Sequence, residues 1–535
     1  MAGPEPRRVE SSPVMTSGEQ RQYIVLTVLA AAAIAAFAWY WIPQRVARPA
    51  YIVVSALLVF HLGSWFGRWL LLWRMRRPVP IAPLPGLKVA VATTFVPDAE
   101  AIEMLAQSVQ AMCAIDYPHD TWVLDEGESP EVAALCRRLG AHHYSRKRRA
   151  QFQVKEGRYA AGTKYGNYNA WLADIGAARY QILTAFDPDH IPERSYLTEV
   201  LGYFRDPAVG YVQAPQVYYN QDASFVARGA AEESYAYYST HLMASYGMGQ
   251  TIVVGSHSTQ RITALLEVGG FAPHDADDLL ITLRYRASRW AGVYHPKILA
   301  LGMTPVDWAG YLRQQIRWVR SLVDIKIHLL PRMMGDLSPI DRFLGLFHGA
   351  YYLRAFTIPL AYLTIVQLLF RGYPPPYLGA RPLGGLAALM TSLGLVGLFR
   401  RRFFLDPVGE GGLHWRAALL QFAKWPYQCI AAWRALWRIE RPYTITLKVR
   451  SATSRSLLLW PHWVVMVLMA EAVTTAITLD LPLTTPVLLA GIGTLLLSAG
   501  LAFSEFVAPP SAWDGTLYPR ARARLTALLG PPAAL

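Results

Sequence analysis

Asp187-Pro188-Asp189-His190 sets two carboxylates one residue apart, at the end of the apolar run Tyr180–Phe186. Carboxylates so placed can jointly face a hard divalent cation, which prefers oxygen ligands and keeps positions open for phosphate oxygens. The same residues also suit a plain turn. A second acidic pair, Asp125-Glu126, ends the apolar run Trp122–Leu124. In an α/β unit that is the edge of the sheet where ligands bind, although Glu128-Ser129-Pro130-Glu131 reads equally well as a helix start. Asp277 and Asp278 open a stretch in which Leu279, Leu280 and Leu283 recur at helical spacing. Acidic residues there complement a helix dipole, which the local pattern favours. Held at the rim of a pocket, such a carboxylate could instead deprotonate a hydroxyl. In Gln314-Gln315-Ile316-Arg317-Trp318, neighbouring Gln and Arg can reach one ligand, Arg clamping phosphate and Trp stacking on a sugar. The alternative is a helix anchored in a membrane interface by its aromatic and Arg side chains.

The elements that must position these residues lie in an unusual frame. Of 535 residues, 53% are hydrophobic and only 16% charged, too apolar for an ordinary soluble protein. Apolar runs at about 23–42, 51–73, 343–370, 383–399, 457–479 and 484–507 approach the ~20 residues that a helix needs to cross a bilayer. The first is long, ends in Trp39, Tyr40 and Trp41, and is followed at once by another, unlike a cleaved signal peptide. Arg74, Arg76 and Arg77 follow the second run and Arg400, Arg401 and Arg402 the fourth, against only Arg45/Arg48 and Arg371/Arg381 in the opposite loops. This asymmetry places both termini and the large segment between spans two and three in the cytosol, at the plasma membrane. A net charge of +14 then fits a membrane surface and an anionic nucleotide, and requires no nucleic-acid partner. Three scattered cysteines, Cys113, Cys136 and Cys429, imply neither a disulfide framework nor a zinc site.

Residues 87–96, "TWVLDEG" (121–127) and 180–190 read as strands, whereas 99–115 and 131–140 carry apolar residues at helical spacing. The alternation predicts a mainly parallel sheet with helices on both faces. No Gly-x-Gly-x-x-Gly follows the first strand, which disfavours a dinucleotide site. The expected partition is a tail over 1–22, two spans over 23–77 and a cytosolic domain over 78–335. Two further spans over 336–402 precede an interfacial helix and loop over 403–456, two last spans over 457–507, and a poorly ordered tail over 508–535. The stretch of Trp, Leu and Arg at 413–442 is too charged to span and fits a helix lying in the interface. His348, Arg354 and Glu471, inside apolar spans, are candidates to line a channel, with helix packing as the alternative.

In order, Asp125, Asp187-x-Asp189, Asp277-Asp278 and Gln314-x-x-Arg317-Trp318 resemble the inverting family-2 glycosyltransferases of the cellulose, chitin and hyaluronan synthase group. "KYGNYNAW" (164–171), "DPDHIP" (187–192), "VQAPQVYYN" (212–220) and "VVGSHS" (253–258) add to the likeness. Residues 424–448 resemble bacterial cellulose synthase, including a gating loop at Tyr443-Thr444-Ile445-Thr446-Leu447-Lys448.

The resemblance implies a GT-A type nucleotide-sugar-binding α/β domain, with a mixed, mainly parallel sheet, inserted in a helical membrane domain of about six spans plus interfacial helices. It implies Asp278 as the catalytic base, and Asp125, Lys164, Asp187, Gln314 and Arg317 on the donor nucleotide. Trp318, Gly255, Ser256 and Asp277 would serve the acceptor, Tyr443, Thr446 and Lys448 the gating loop, and Asp187 and Asp189 an Mg2+ or Mn2+ ion. The implied activity is processive, inverting synthesis and export of a β-linked polysaccharide from a UDP-sugar. UDP-glucose is favoured over UDP-N-acetylglucosamine and GDP-mannose, among membrane lipids and with a possible accessory or regulatory subunit. Thr93-Thr94-Phe95-Val96-Pro97 departs from the polar first turn usual in the group, and Ala276-Asp277-Asp278 replaces Thr-Glu-Asp. The 28 residues after Val507 are expected to form no cyclic-dinucleotide-binding barrel. The rival readings are a non-processive transferase acting on a lipid-linked acceptor and a transporter with a cytosolic binding domain.

Overall fold

Val89–Phe95 (β1) is buried at every position, as a β-branched run at the centre of a sheet covered on both faces should be. Asp120–Asp125 (β2), His142–Tyr144 (β3), Ile182–Phe186 (β4), Val209–Gln213 (β5), Ser258–Arg261 (β6) and Ala291–Tyr294 (β7) complete a seven-stranded sheet of order β7-β5-β6-β4-β1-β2-β3. β1 pairs in parallel with β2 and β4, β2 with β3, and β7 with β5. Only β6 is reversed. The reversal matters, because β6 begins where its neighbours end: Ser258 stands opposite Ala185 and Gln213. The loop before β6 therefore reaches the same sheet edge as the loop after β4. A small sheet of Ile191–Pro192, Val217–Tyr218 and Ala300–Gly302 flanks that edge.

The computed structural model describes residues 9–42, 49–97, 100–372, 380–406, 409–439, 457–482 and 485–506. The expected gating-loop residues Tyr443, Thr446 and Lys448, and the 508–535 tail, lie outside the described residues. The expected strands and helices of the α/β domain are present. Pro130–Leu139, for instance, starts on Pro130 and ends at Gly140 with φ 73°, the Pro-first, Gly-last pattern of a helix.

Six described helical segments are long and apolar enough to cross a membrane: Ser17–Trp41, Pro49–Leu72, Pro339–Arg371, Pro382–Arg401, Trp460–Thr478 and Thr485–Ser504. This is the composition of an integral membrane protein. The mixed α/β domain set among about six spans is the architecture expected.

Several details add to the sequence reading. The first helix starts at Ser17 because Thr16 and Glu19 form a capping box, and Ser11–Pro13 pairs with Arg76–Pro78. The third span breaks after Pro339–Phe347: Gly349 takes φ 74°, a 3-10 turn covers Ala350–Leu353, and a helix resumes over Arg354–Arg371. A Cβ at Gly349 would stand 2.1 Å from Leu322, so the break is set by close packing onto the Trp308–Asp324 helix. Glu471 is exposed on the fifth span, whereas His348 and Arg354 are half-buried. Trp415–Leu436, expected to lie in the interface, packs on Trp308–Asp324 and on Phe225–Ala236. Its buried Lys424 is ion-paired to Glu233 at 2.7 Å.

Candidate active site

The acidic loop follows β4 directly. The His190 amide donates to the Asp187 carbonyl at 3.0 Å, which folds Asp187, Asp189 and His190 onto one another. One ligand atom from each lies within 4.8 Å of the others. Two carboxylates and an imidazole suit Mn2+ well and Mg2+ acceptably. His190 was not foreseen as a ligand, although it stands in the same tetrapeptide. Asp189 and His190 are buried, and Asp187 keeps a third of its side chain exposed, so the cluster opens to the surface on the Asp187 side. Ser256 holds the loop from the β6 side: its Oγ accepts from the Asp187 amide at 3.0 Å and is bonded to His190 Nδ1 at 2.6 Å. The Met303 amide donates to Asp189 Oδ2 at 3.3 Å. Gly302 is required for this approach, since a Cβ there would stand 1.7 Å from the His190 ring.

Lys164 is the first residue of the helix Lys164–Trp171, capped by Thr163 through the Gly166 amide at 3.1 Å. Its Nζ donates to Asp187 Oδ1 at 2.5 Å and to the Gly255 carbonyl at 3.1 Å. Gly255 has φ 59°, and a Cβ on it would lie 3.5 Å from Asp278 Oδ2. Asp277 and Asp278 begin the helix Asp277–Ala287, where Asp278 Oδ1 accepts the Leu279 amide at 2.7 Å.

Burial raises three carboxyls around this edge, Asp277, Asp278 and Glu100. Burial pushes the Asp277 carboxyl up to about 7; Asp278 and Asp187 add to this, while Lys164 opposes it. Burial also raises Asp278, against the Leu279 amide, Lys164 and Arg317. Close carboxylates cannot all ionise freely, and perturbed groups of this kind mark functional sites. Glu100, another residue missed in the sequence, bonds the Val96 amide at 2.9 Å. Burial lifts it to about 8, with Asp189 and Asp187 contributing.

The helix Trp308–Asp324 presents Arg317 to Asp278, and Arg317 Nε is buried with no protein partner. Gln314 is half-buried and Trp318 is 41% exposed. Gln315 instead faces inward, bonded by Gln428 at 3.4 Å.

Asp125 stands apart from this constellation. Fully buried, it accepts the amides of Gly127 (2.9 Å) and Ser129 (2.5 Å) and contacts His143 Nε2 (3.0 Å). In this geometry it shapes the turn into Pro130–Leu139 and meets no open space. Glu126 carries the larger structural role. It makes a bidentate pair with Arg146 at 2.9 Å for both bonds and accepts the Gly162 amide at 2.7 Å. Arg146 is 0% exposed and also donates to the carbonyls of Tyr159 (2.8 Å) and Ala160 (2.9 Å). The pair thereby fixes the loop that delivers Lys164. In the sequence, Arg146 sits in a basic run, "RKRR", which reads as a solvated surface.

Residues 87–321 match the family described as Glycosyltransferase like family 2. That span holds every residue of the constellation, and a family-2 glycosyltransferase catalytic domain is present. The transporter reading does not account for such a domain. The chain is similar to cellulose synthases: cellulose synthase 1 of Komagataeibacter xylinus is 26% identical over 260 residues, 47% of this chain and 16% of that protein. Beta-monoglucosyldiacylglycerol synthase of Synechocystis sp. is 26% identical over 290 residues, 49% of this chain and 58% of that protein. The matched parts are thus less than two thirds of these relatives' own length. Among solved structures, a mannosyltransferase from Pyrobaculum calidifontis in complex with GDP-Man and Mn2+ is 18% identical, covers 78% of this chain and 100% of its own, and has a TM-score of 0.43.

Proposed function

We propose that the protein is a membrane-embedded inverting glycosyltransferase. It moves a sugar from a UDP-sugar, UDP-glucose foremost, to the growing end of a β-linked, cellulose-like polysaccharide, and passes the product through its own helices. The observation that carries this reading is the convergence of Lys164, Asp187, Asp189, Asp277, Asp278 and Arg317 at the sheet edge that adjoins the third span. Tyr352 of that span is within electrostatic reach of Asp278. The catalytic domain faces the cytosol, where nucleotide sugars are made and where the Lys/Arg asymmetry of the loops puts it.

Asp187, Asp189 and His190 would hold an Mg2+ or Mn2+ ion, which when bound neutralises the departing diphosphate. Arg317 adds fixed positive charge for the same oxygens. Lys164 orients Asp187 and the Gly255-Ser256 loop, and Gln314 lines the donor side. Asp278 takes the proton from the acceptor hydroxyl as that oxygen attacks the anomeric carbon. One base without a carboxylate nucleophile gives inversion, so an α-linked donor yields a β-glycoside. Asp277 and the exposed face of Trp318 hold the acceptor sugar, and the loop around Tyr443, Thr446 and Lys448 closes over the nucleotide.

A second reading, transfer of a single sugar to a lipid acceptor, is favoured by the likeness to the Synechocystis glycolipid synthase. Purified chain in lipid discs, given radiolabelled UDP-glucose, UDP-N-acetylglucosamine or GDP-mannose with Mg2+ or Mn2+, separates the two. Nucleoside diphosphate release with label in ethanol-insoluble glucan supports the synthase. Label confined to the chloroform-extractable fraction replaces it with the second reading, and no release from UDP-glucose removes that donor.

A further inference from the structure

Three arginines in the membrane-length helices make no ion pair among the described residues. Arg68 lies near the end of Pro49–Leu72, Arg354 begins Arg354–Arg371, and Arg400 lies near the end of Pro382–Arg401. The second span runs into the catalytic domain, the third leaves it, and the fourth returns to the same side. Chain direction therefore puts all three at one edge of the membrane, the one facing the catalytic domain. Arg68 is within electrostatic reach of both Arg354 and Arg400. Among the described residues none of the three is ion-paired to a carboxylate.

All three side chains are half-buried, and part of their hydrogen-bonding capacity is shut away from solvent. Nε and Nη2 of Arg354 and Nε of Arg400 are buried without any hydrogen-bond partner. Arg68 Nε reaches only the Ser64 carbonyl of its own helix, at 3.1 Å. Arginines that merely snorkel keep their heads solvated, whereas three nitrogens of this cluster are buried and unsatisfied. Among the described residues the nearest carboxylate in this region, Glu233, is taken up by Lys424 at 2.7 Å. Arg354 lies over the Tyr351 ring at 5.3 Å, and His61 on the second span is bonded to Thr357 at 3.1 Å. His241, from the catalytic domain, is held down to about 4 by burial and by Arg68 and Arg400, and so is neutral.

Like charges desolvated together are costly, and buried guanidinium N–H groups without acceptors add to that cost. An anion with several oxygens removes both penalties, because guanidinium forks match phosphate oxygens in pairs. At the headgroup level of a bilayer, the phosphate in constant supply is that of lipid.

We infer that Arg68, Arg354 and Arg400 form a binding site for the phosphate group of a membrane lipid. The site is separate from the nucleotide-binding edge and does not depend on which acceptor the enzyme uses. Tyr351 and Tyr352, whose rings meet edge to face at 5.5 Å, stand between it and Asp278.

The test uses the full chain in phosphatidylcholine discs, with or without a minor fraction of phosphatidic acid, or with inorganic phosphate in the buffer. Thermal unfolding and lipid retention by native mass spectrometry are read together. Phosphatidic acid should raise the melting temperature and co-purify, and inorganic phosphate should do neither. Arg354→Gln and Arg400→Gln should each weaken phosphatidic acid binding by about tenfold or more. In neutral discs they should melt no lower than wild type, since a repelling charge has gone. Arg77→Gln, at an exposed position on the same side, should bind as wild type does. Undiminished binding in both variants would overturn the site. An equal response to inorganic phosphate would overturn its assignment to lipid, and lower melting of both variants in neutral discs would show the arginines to be satisfied within the protein.

Discussion

Removing the Lys164 charge should move the acid limb of the activity profile to higher pH. Lys164 Nζ lies 2.5 Å from Asp187 Oδ1 and opposes protonation of both Asp277 and Asp278. Asp277, pushed up to about 7 chiefly by burial, with Asp278 and Asp187 adding, already sits where protonation competes with function at neutral pH. Lys164→Met removes a charge-assisted contact worth about 1.5–3 kcal/mol. That contact is with Asp187; Asp277 and Asp278 lose the longer-range attraction of the ammonium, which raises the apparent pKa of the pair. The sign follows from the role: a base works deprotonated, so activity rises with pH through its pKa, and a higher pKa delays the rise. The two carboxyls titrate as a pair, so the shift belongs to the pair. The assay is initial UDP release by the purified chain across about pH 5 to 9, with kcat/KM reporting the free enzyme. Lys164→Arg, which keeps the charge, should move the limb less. An acid limb in Lys164→Met that superimposes on wild type would refute the electrostatic role of Lys164.

Asp278→Asn should lower transfer by about 10²–10⁴-fold while UDP affinity, measured by calorimetry, stays near wild type. Asp189→Ala should abolish the metal dependence of donor binding, with neither Mg2+ nor Mn2+ restoring it. Wild-type activity that survives a chelator would show that the acidic loop holds no catalytic metal. Gly302→Ala should act on the same loop, because its Cβ would displace the His190 ring 1.7 Å away; weaker Mn2+ binding, seen by titration, is the expected sign. Glu126→Ala strands the buried Arg146 guanidinium and should destabilise the catalytic domain by about 3–5 kcal/mol. Faster proteolysis of the 147–163 loop would report it.

The six spans, the strands ending at Asp125 and Phe186, and the helix opened by Asp277 were legible because each rests on local periodicity. An apolar run of membrane length, or a β-branched run closed by acidic residues, identifies itself without reference to the rest of the chain. The site residues from Lys164 to Trp318 were legible as types and order, through resemblance. What each polar group faces was not. Asp125 and Asp187 both stand at strand ends, yet one is wholly taken up by Gly127, Ser129 and His143 and the other remains a third exposed. Arg146 reads as surface, but folds inward onto Glu126, 20 residues away. Lys424, in the stretch expected to lie in the interface, finds Glu233, 191 residues distant. A side chain's partner depends on which remote segments the fold brings beside it, and a buried charge must find such a partner or keep a costly desolvation. The local pattern could therefore set the frame, while packing between distant segments decided which acids gather beside Lys164 and which are taken up by turns.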